Sequence, residues 1–427
     1  MEQQPARPTA LLPIGHLVRL SIYWLGLVAV INGVGIMLQE RIKTIVPDPS
    51  LQYTTLGIVQ VVGIIVAIVV QPTIGSISDY TVSRFGRRKP YILIGTTLDL
   101  IFLIGLATSN TVLSLAAFVT LLQLSSNFAQ GPFQGYIPDL VPAAQVGLAS
   151  AMVGMFTVLG AVTGAAFASL GIAIGDYLIP TLAVGLIHFA TMLSLFFRLD
   201  EGTGAKDRQG RGWGSIVSLV WGTDILRERS FVLLVASRFF ILGGSAFFIV
   251  LAIPYLERSL GMTSPDERAI WLFAITVVAA LSTVCATVPA ARISQGVGRK
   301  PVIYAATGLS AIGMTIAALA PGPLFVVAAA VLIGVGAGSF LAVDWALMTE
   351  IIPRASSGRY MGISNVATAT NGVVAILIGG LIIDAFTRGG VQELGPRAAF
   401  LLAPIWFAIG SLLLRPVVEP HRAAVSA

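Results

Sequence analysis

The sequence predicts an all-α membrane protein with twelve transmembrane helices in two six-helix bundles related by a parallel repeat. Three observations predict it. The chain is 56% hydrophobic and 11% charged, whereas about a quarter of the residues of a soluble domain carry charge. Apolar runs of about 20 residues, long enough for a helix to cross a hydrocarbon core of about 30 Å, recur along its whole length. Motifs of the first half return in the second at one fixed offset.

Spans are expected at 17–38, 52–74, 91–109, 111–138, 148–172, 178–197, 231–252, 268–291, 302–320, 323–349, 359–383 and 396–414. The first starts near Leu17 and reads as an anchor, not a cleavable leader. Spans two and three enclose GSISDYTVSRFGRRKP (Gly75 to Pro90), where one acid and four bases sit between stretches of Val, Ile, Leu and Gly. Span three carries Asp99 about eight residues, or roughly 12 Å, inside. In span four, Asn127, Gln130 and Gln134 follow at spacings of four or three, on one helix face, while Gly131, Pro132, Gly135 and Pro138 interrupt it. Span five has Gly160 and Gly164, a small-residue pair common in membrane helices, and span six has His188. The one long connection, Arg198 to Ser230, is polar and Gly-rich (RLDEGTGAKDRQGRG) before an amphipathic piece, WGSIVSLVWGTDIL. It separates an N-terminal bundle, 1–198, from a C-terminal bundle, 231–427, with 199–230 as linker. Arg238 lies in span seven, the lone Cys285 in span eight and Asp344 in span ten; Asn365, Thr368 and Asn371 share a face of span eleven.

Charge sets the orientation. Of 26 Lys and Arg, 19 fall on the side of both termini, six on the other, and Arg238 within a span. The positive-inside rule then puts both termini in the cytoplasm. A net charge of +6 would suggest nucleic acid in a soluble protein, but these bases sit in short loops and report topology. No nucleic-acid partner is expected. A single cysteine excludes a disulfide framework and a Cys-based metal site, so neither cofactor nor metal is expected. The expected protein is a multi-pass monomer of a cell membrane, the inner membrane in a bacterium.

Sliding the sequence by 211 residues lays RRKP (Arg87 to Pro90) on GRKP (Gly298 to Pro301), DLVP (Asp139 to Pro142) on EIIP (Glu350 to Pro353), and Gly147 on Gly358. Two halves of like topology place a substrate site between them near the midplane. The offset also pairs charges: Arg87 and Arg88 precede span three where Asp139 ends span four, and Arg299 and Glu350 repeat that arrangement. Asp79 is placed to reach the start of span eleven near Gly358, where unpaired amides favour an anion. Pure topology anchoring would account for the bases alone.

Ionisable groups at bilayer depth cost several kcal/mol unless paired or hydrated, so Asp99, Arg238 and Asp344 are the candidate proton-coupling residues. Arg238 lies about 10 Å and Asp344 about 9 Å inside their spans, at matching depth. Arg keeps its proton, which makes Asp344 the titrating member; a permanent structural pair is the other reading. Asp99 is either coupling or structural. His188 is expected as a buried, neutral, hydrogen-bonded side chain, with a proton relay as the alternative. Asn127, Gln130, Gln134, Asn365 and Asn371 are candidate substrate ligands, because amides both donate to and accept from sugar hydroxyls; as plain helix contacts they would need no substrate. Trp345, beside Asp344, is placed to stack on a pyranose or simply to pack, and Tyr23 and Trp24 are weaker candidates of the same kind.

The acid-to-GRR pattern of Asp79 and SRFGRRKP, with its weaker second copy, resembles the signature loop of the major facilitator superfamily. NFAQGPFQGYIPDLVP (Asn127 to Pro142) and VDWALMTEIIP (Val343 to Pro353) are similar to the subgroup of sucrose-proton symporters and glycoside-pentoside-hexuronide carriers. The resemblance covers the chain at the level of topology. It implies a secondary active transporter with a sugar or glycoside and a proton as partners, spans seven and ten lining the cavity, and Asp79, Arg87, Arg88, Asp139, Arg299 and Glu350 forming a cytoplasmic gate. The chain departs from the plant sucrose carriers at Gln134, where they hold Arg, and its first span offers only Asn32 and Glu40 where many relatives keep an acid. The alternative transport function is export of an amphipathic small molecule by proton antiport. Other classes are a carrier-like sensor and an intramembrane protease, which would need Ser245 with His188.

Overall fold

The computed structural model describes residues 10–142, 145–199, 212–221, 228–351 and 357–417. Among them all regular structure is helical, and twelve helices are long and apolar enough to cross a membrane. The first span joins α1 (Ile14–Ser21) to α2 (Tyr23–Ile45), followed by α3 (Gln52–Asp79), α4 (Lys89–Thr108), α5 (Val112–Gln134), α6 (Tyr136–Leu140), α7 (Val146–Ile174) and α8 (Leu178–Arg198). The amphipathic piece forms α9 (Trp213–Val220). Then come α10 (Arg229–Val250), α11 (Ala252–Pro254) running into a π-helical turn, α12 (Pro265–Val297), α13 (Arg299–Leu319), α14 (Pro323–Ile351), α15 (Ser357–Arg388) and α16 (Leu394–Leu414).

Local chemistry explains the boundaries. Thr111 and Ser114 form a reciprocal cap that starts α5, and Ser264 accepts from Glu267 N while Pro265, Asp266 and Glu267 fill the first turn of α12, which suits its unpaired amides. The expected fourth span, 111–138, is not one helix. Pro138 has no N–H for the Gln134 carbonyl, so α5 ends at Gln134 and α6 begins after Gly135. A positive-φ glycine opens each basic run, Gly86 (φ 105°) before Arg87 and Gly298 (φ 96°) before Arg299, one residue out of the 211 register, in a conformation that L side chains avoid.

The chain forms two compact units, one from 1–37 and 62–222, the other from 38–61 and 223–427. In the first, α4 packs against α5 and α8, and α7 against α1 and α8. Its core is centred on Tyr23, Phe133, Tyr136, Met192 and Leu195. Gly160 and Gly164 let α7 lie against α2, because a Cβ at either would come within 2.5 Å of the Leu25 or Ala29 carbonyl oxygen. In the second, α12 and α13 both pack on α14, and α10 packs on α15 and α16. Trp406 is wedged among Phe239, Phe240 and Phe247, with its ring against Gly243. Exposed side chains along the helices are apolar, as Ile58, Ile65 and Val69 on α3 and Ile270, Leu281 and Val288 on α12 show. Buried polar and charged groups therefore concentrate the chemistry.

Candidate functional site

In the first unit the charged loop closes around Arg88. Its Nη2 lies 2.6 Å from Asp79 Oδ1 and 2.8 Å from Asp139 Oδ2, and Arg87 also pairs with Asp139. One guanidinium, 4% exposed, thus ties together the ends of α3, α4 and α6. It sits over the Tyr136 ring at 5.7 Å and against Gly135, where any Cβ would overlap it. Burial alone would lower the Arg88 pKa, but Asp79 and Asp139 more than reverse this and hold it above its ordinary value. In the second copy, Arg299 donates to Ser294 Oγ at 2.6 Å and Lys300 to the Arg415 carbonyl at 2.9 Å. The side chains of Glu350, Trp345 and Asn365, and any neighbour of Gly358, lie outside the described residues.

Deeper in this unit, Asp99 is 1% exposed. Its Oδ1 accepts from Ser125 and, at 2.9 Å, from Ser126 on α5, while its Oδ2 faces His188 Nδ1 at 3.7 Å. The expectation of a hydrogen-bonded His188 is corrected: neither ring nitrogen bonds a described residue, and the Asp99 carboxylate at 3.7 Å stands beyond hydrogen-bond length. Tyr23 is fully buried, with its hydroxyl 2.9 Å from Thr96 Oγ1 and its ring 5.1 Å from that of His188. It is a packed core residue, and its sugar-stacking role is withdrawn. Trp24, partly buried, meets the edge of Phe133. Among the amides, Asn127 Nδ2 donates back to the Gln123 carbonyl at 2.8 Å, and Gln130 and Gln134 are half-buried on the same helix.

In the second unit Arg238 Nε approaches Asp344 Oδ2 at 3.0 Å, with both side chains at most 2% exposed. Arg238 Nη1 donates to Ser364 Oγ at 2.7 Å, so α10, α14 and α15 meet at one buried ion pair. Sequence reading missed Ser364, although it sits one residue before Asn365 on the polar stretch of α15. Asn371 Nδ2 donates to the Thr368 carbonyl at 2.6 Å, within its own helix.

A second charged cluster in this unit escaped the sequence reading altogether. Lys43 bridges Glu40 (2.8 Å) and Glu257, and Arg268 lies 3.5 Å and 3.4 Å from the same two acids. Arg258 donates to the Pro49 carbonyl at 3.0 Å and covers the Tyr53 ring at 4.8 Å, while Asp384 accepts from Thr54 N at 2.7 Å. The spacing of Glu40 and Lys43 was the available signal; their partners lie more than 200 residues away. Among the described residues no group of three or more His, Cys, Asp or Glu is placed to hold a metal.

A family model described as Major Facilitator Superfamily matches residues 22–262 and 233–427. Two curated relatives are uncharacterized MFS-type transporters of Mycobacterium tuberculosis, from strains CDC 1551 and H37Rv. Each is 28% identical over 138 residues, which is 32% of this chain and 19% of the relative, so the chain spans about a fifth of the length of the curated relatives it matches. Among solved structures, a point mutant of the nucleoside transporter NupG superposes with a TM-score of 0.73 at 12% identity, covering 94% of this chain and 100% of that one. A bacterial homolog of the human lysosomal transporter Spinster, inward-facing and occupied, gives 0.69 at 13%, covering 94% and 96%. A D-xylose-proton symporter gives 0.65 at 18%, covering 92% and 96%. At these identities the likeness is one of fold.

Proposed function

The chain belongs to the Major Facilitator Superfamily and is a multi-pass membrane transporter, not an enzyme; from that premise we propose that it is a proton-coupled symporter for a sugar or glycoside, working by alternating access. The observation that carries this reading is the Arg238–Asp344 pair, 3.0 Å apart and almost wholly buried. Charges at that depth are expensive to keep. Removing either partner leaves the other uncompensated, which suits a site whose carboxylate is contested on each cycle. Arg238 stays protonated and serves as the fixed countercharge. Asp344 is the member that a proton or a substrate hydroxyl engages.

Substrate hydroxyls are read by the amides Asn127, Gln130 and Gln134 on α5 and by Asn365 and Asn371 on α15, with Trp345 offering its ring to the apolar face of a pyranose. Amides that donate and accept at once match hydroxyl chemistry. A nucleoside offers the same ribose hydroxyls, and NupG supports including nucleosides among the substrates to be tested. Asp79, Arg87, Arg88 and Asp139, with Arg299 and Glu350, act as the cytoplasmic gate, made of partly solvated pairs weak enough to open on each cycle.

The test is uptake into proteoliposomes of a radiolabelled panel of sucrose, D-xylose, a β-glucoside and uridine, with and without an inside-alkaline pH gradient. Sugar accumulation that needs the gradient is expected. Accumulation driven in the opposite direction would establish export, and uridine alone would move the substrate to nucleosides.

A further inference from the structure

We propose that Asp99 and His188 form a second proton site, holding one exchangeable proton between them in the first unit. The inference deepens the proton-coupling reading above and rests on it only for its transport consequence. Its basis is charge balance at a buried pair. An ionised Asp344 beside Arg238 already balances its charge, whereas an ionised Asp99 beside a neutral His188 leaves one net negative charge, with both side chains 1% exposed. Such a charge is too costly to bury unneutralised. One proton restores neutrality, either as carboxylic acid with imidazole or as carboxylate with imidazolium, and the pair titrates as a unit.

The surroundings fit a proton that comes and goes. Asp99 Oδ1 is committed to the Ser125 and Ser126 hydroxyls, while Oδ2 and both His188 nitrogens bond no described residue. A closer approach by about 1 Å turns the 3.7 Å gap into a hydrogen bond. Among the described residues no other charged side chain pairs with either group. The buried polar groups around it are Tyr23 from α2, whose ring meets His188, Thr96 from α4, bonded to Tyr23, Ser125 and Ser126 from α5, bonded to Asp99, and Thr191 on α8 itself, bonded to the His188 carbonyl. The α7 sequence contains no ionisable residue. Lys89 and Arg198 lie ten residues along their helices from Asp99 and His188, about 15 Å at the helical rise. On the α1 side, Arg19 and His16 lie seven and ten residues before Gly26, about 10 Å and 15 Å away; Gly26 is where α2 touches the His188 backbone.

The link to substrate runs through α5. Ser125 and Ser126, which hold the Asp99 carboxylate, directly precede Asn127, the first of the proposed sugar-binding amides. Loss of the proton strengthens the hold of Asp99 on the serine hydroxyls, and gaining it relaxes that hold, so proton state and amide position are mechanically joined on one helix.

The test uses the full chain in nanodiscs without substrate. The sequence has three histidines; replacing His16 and His421 with Asn leaves one, so ¹⁵N-histidine resonances report His188 alone while infrared difference spectra report a protonated carboxyl. At neutral pH one of the two signals is expected, a protonated carboxyl abolished by Asp99→Asn or a His188 imidazolium. That signal should disappear in one step between about pH 5 and about pH 9. Finding neither signal, both together, or one that does not change with pH would overturn the proposal. With D-xylose and sucrose as probes in proteoliposomes, Asp99→Asn and His188→Asn should lose pH-driven accumulation while keeping exchange. Spectra as expected with accumulation intact in both variants would overturn the coupling role. If wild-type protein moves neither probe, the sugar reading fails while the spectroscopic result stands.

Discussion

Replacing Arg88 with Ala removes the guanidinium that meets both Asp79 and Asp139 and isolates the consequence of tying three helix ends with one side chain. Breaking a buried pair costs about 3–5 kcal/mol. Here the acids are partly solvated, with side chains 20% and 35% exposed, so the loss belongs at the lower end, about 3 kcal/mol. For a unit of this size that corresponds to a fall in unfolding temperature of roughly 6 °C, at about 2 °C per kcal/mol. Asp139→Asn leaves Arg88 with Asp79 still 2.6 Å away and should cost about 1 kcal/mol, the scale of a partly exposed pair. Arg88→Lys should fall between, because an ammonium lacks the planar fork that serves two carboxylates. The assay is thermal unfolding of the purified variants in one detergent, followed by tryptophan fluorescence. Equal losses for Arg88→Ala and Asp139→Asn, or none for Arg88→Ala, would refute the bridging role.

Three further outcomes are expected. Glu257→Gln should weaken the Lys43 and Arg268 cluster by about 1 kcal/mol, and the difference from wild type should shrink at high salt as screening takes over; thermal unfolding at two ionic strengths measures it. Gly243→Ala forces a methyl against Trp406 and should destabilise by about 1–3 kcal/mol through overpacking, read as a lower unfolding temperature with changed tryptophan emission. A cysteine at Ser218, in a background with the exposed Cys285 replaced by Ser, should react with an impermeant maleimide only from the cytoplasmic side. Labelling from the opposite face would reverse the topology.

How much was legible in the sequence varies with the range of the interaction. Helix existence was legible everywhere, because in lipid the backbone must satisfy itself within each helix and the side chains facing out must be apolar; length and composition suffice. The Arg238–Asp344 meeting was legible from matching depth, since two opposite charges at equal depth within spans are expensive to leave apart. The break at Gly135 was visible as Pro138 but was read only as an irregularity. Side-chain detail was less accessible. Tyr23 looked like a stacking residue because composition cannot tell which face of α2 is packed, and its bond to Thr96 spans 73 residues. His188 and Asp99 were each noticed, but nothing local pairs the third span with the sixth. Lys43 and Glu257, 214 residues apart, belong to contacts that only tertiary structure creates.

The most direct test of proton coupling is Asp344→Asn in proteoliposomes, comparing substrate exchange at equal pH with accumulation under an inside-alkaline gradient. Circular dichroism and a monodisperse elution profile first establish that the variant is folded. Coupling through Asp344 predicts that exchange survives and gradient-driven accumulation is lost, because the amide cannot take up the proton that the carboxylate holds against Arg238. Undiminished pH-driven accumulation by the folded variant would contradict it.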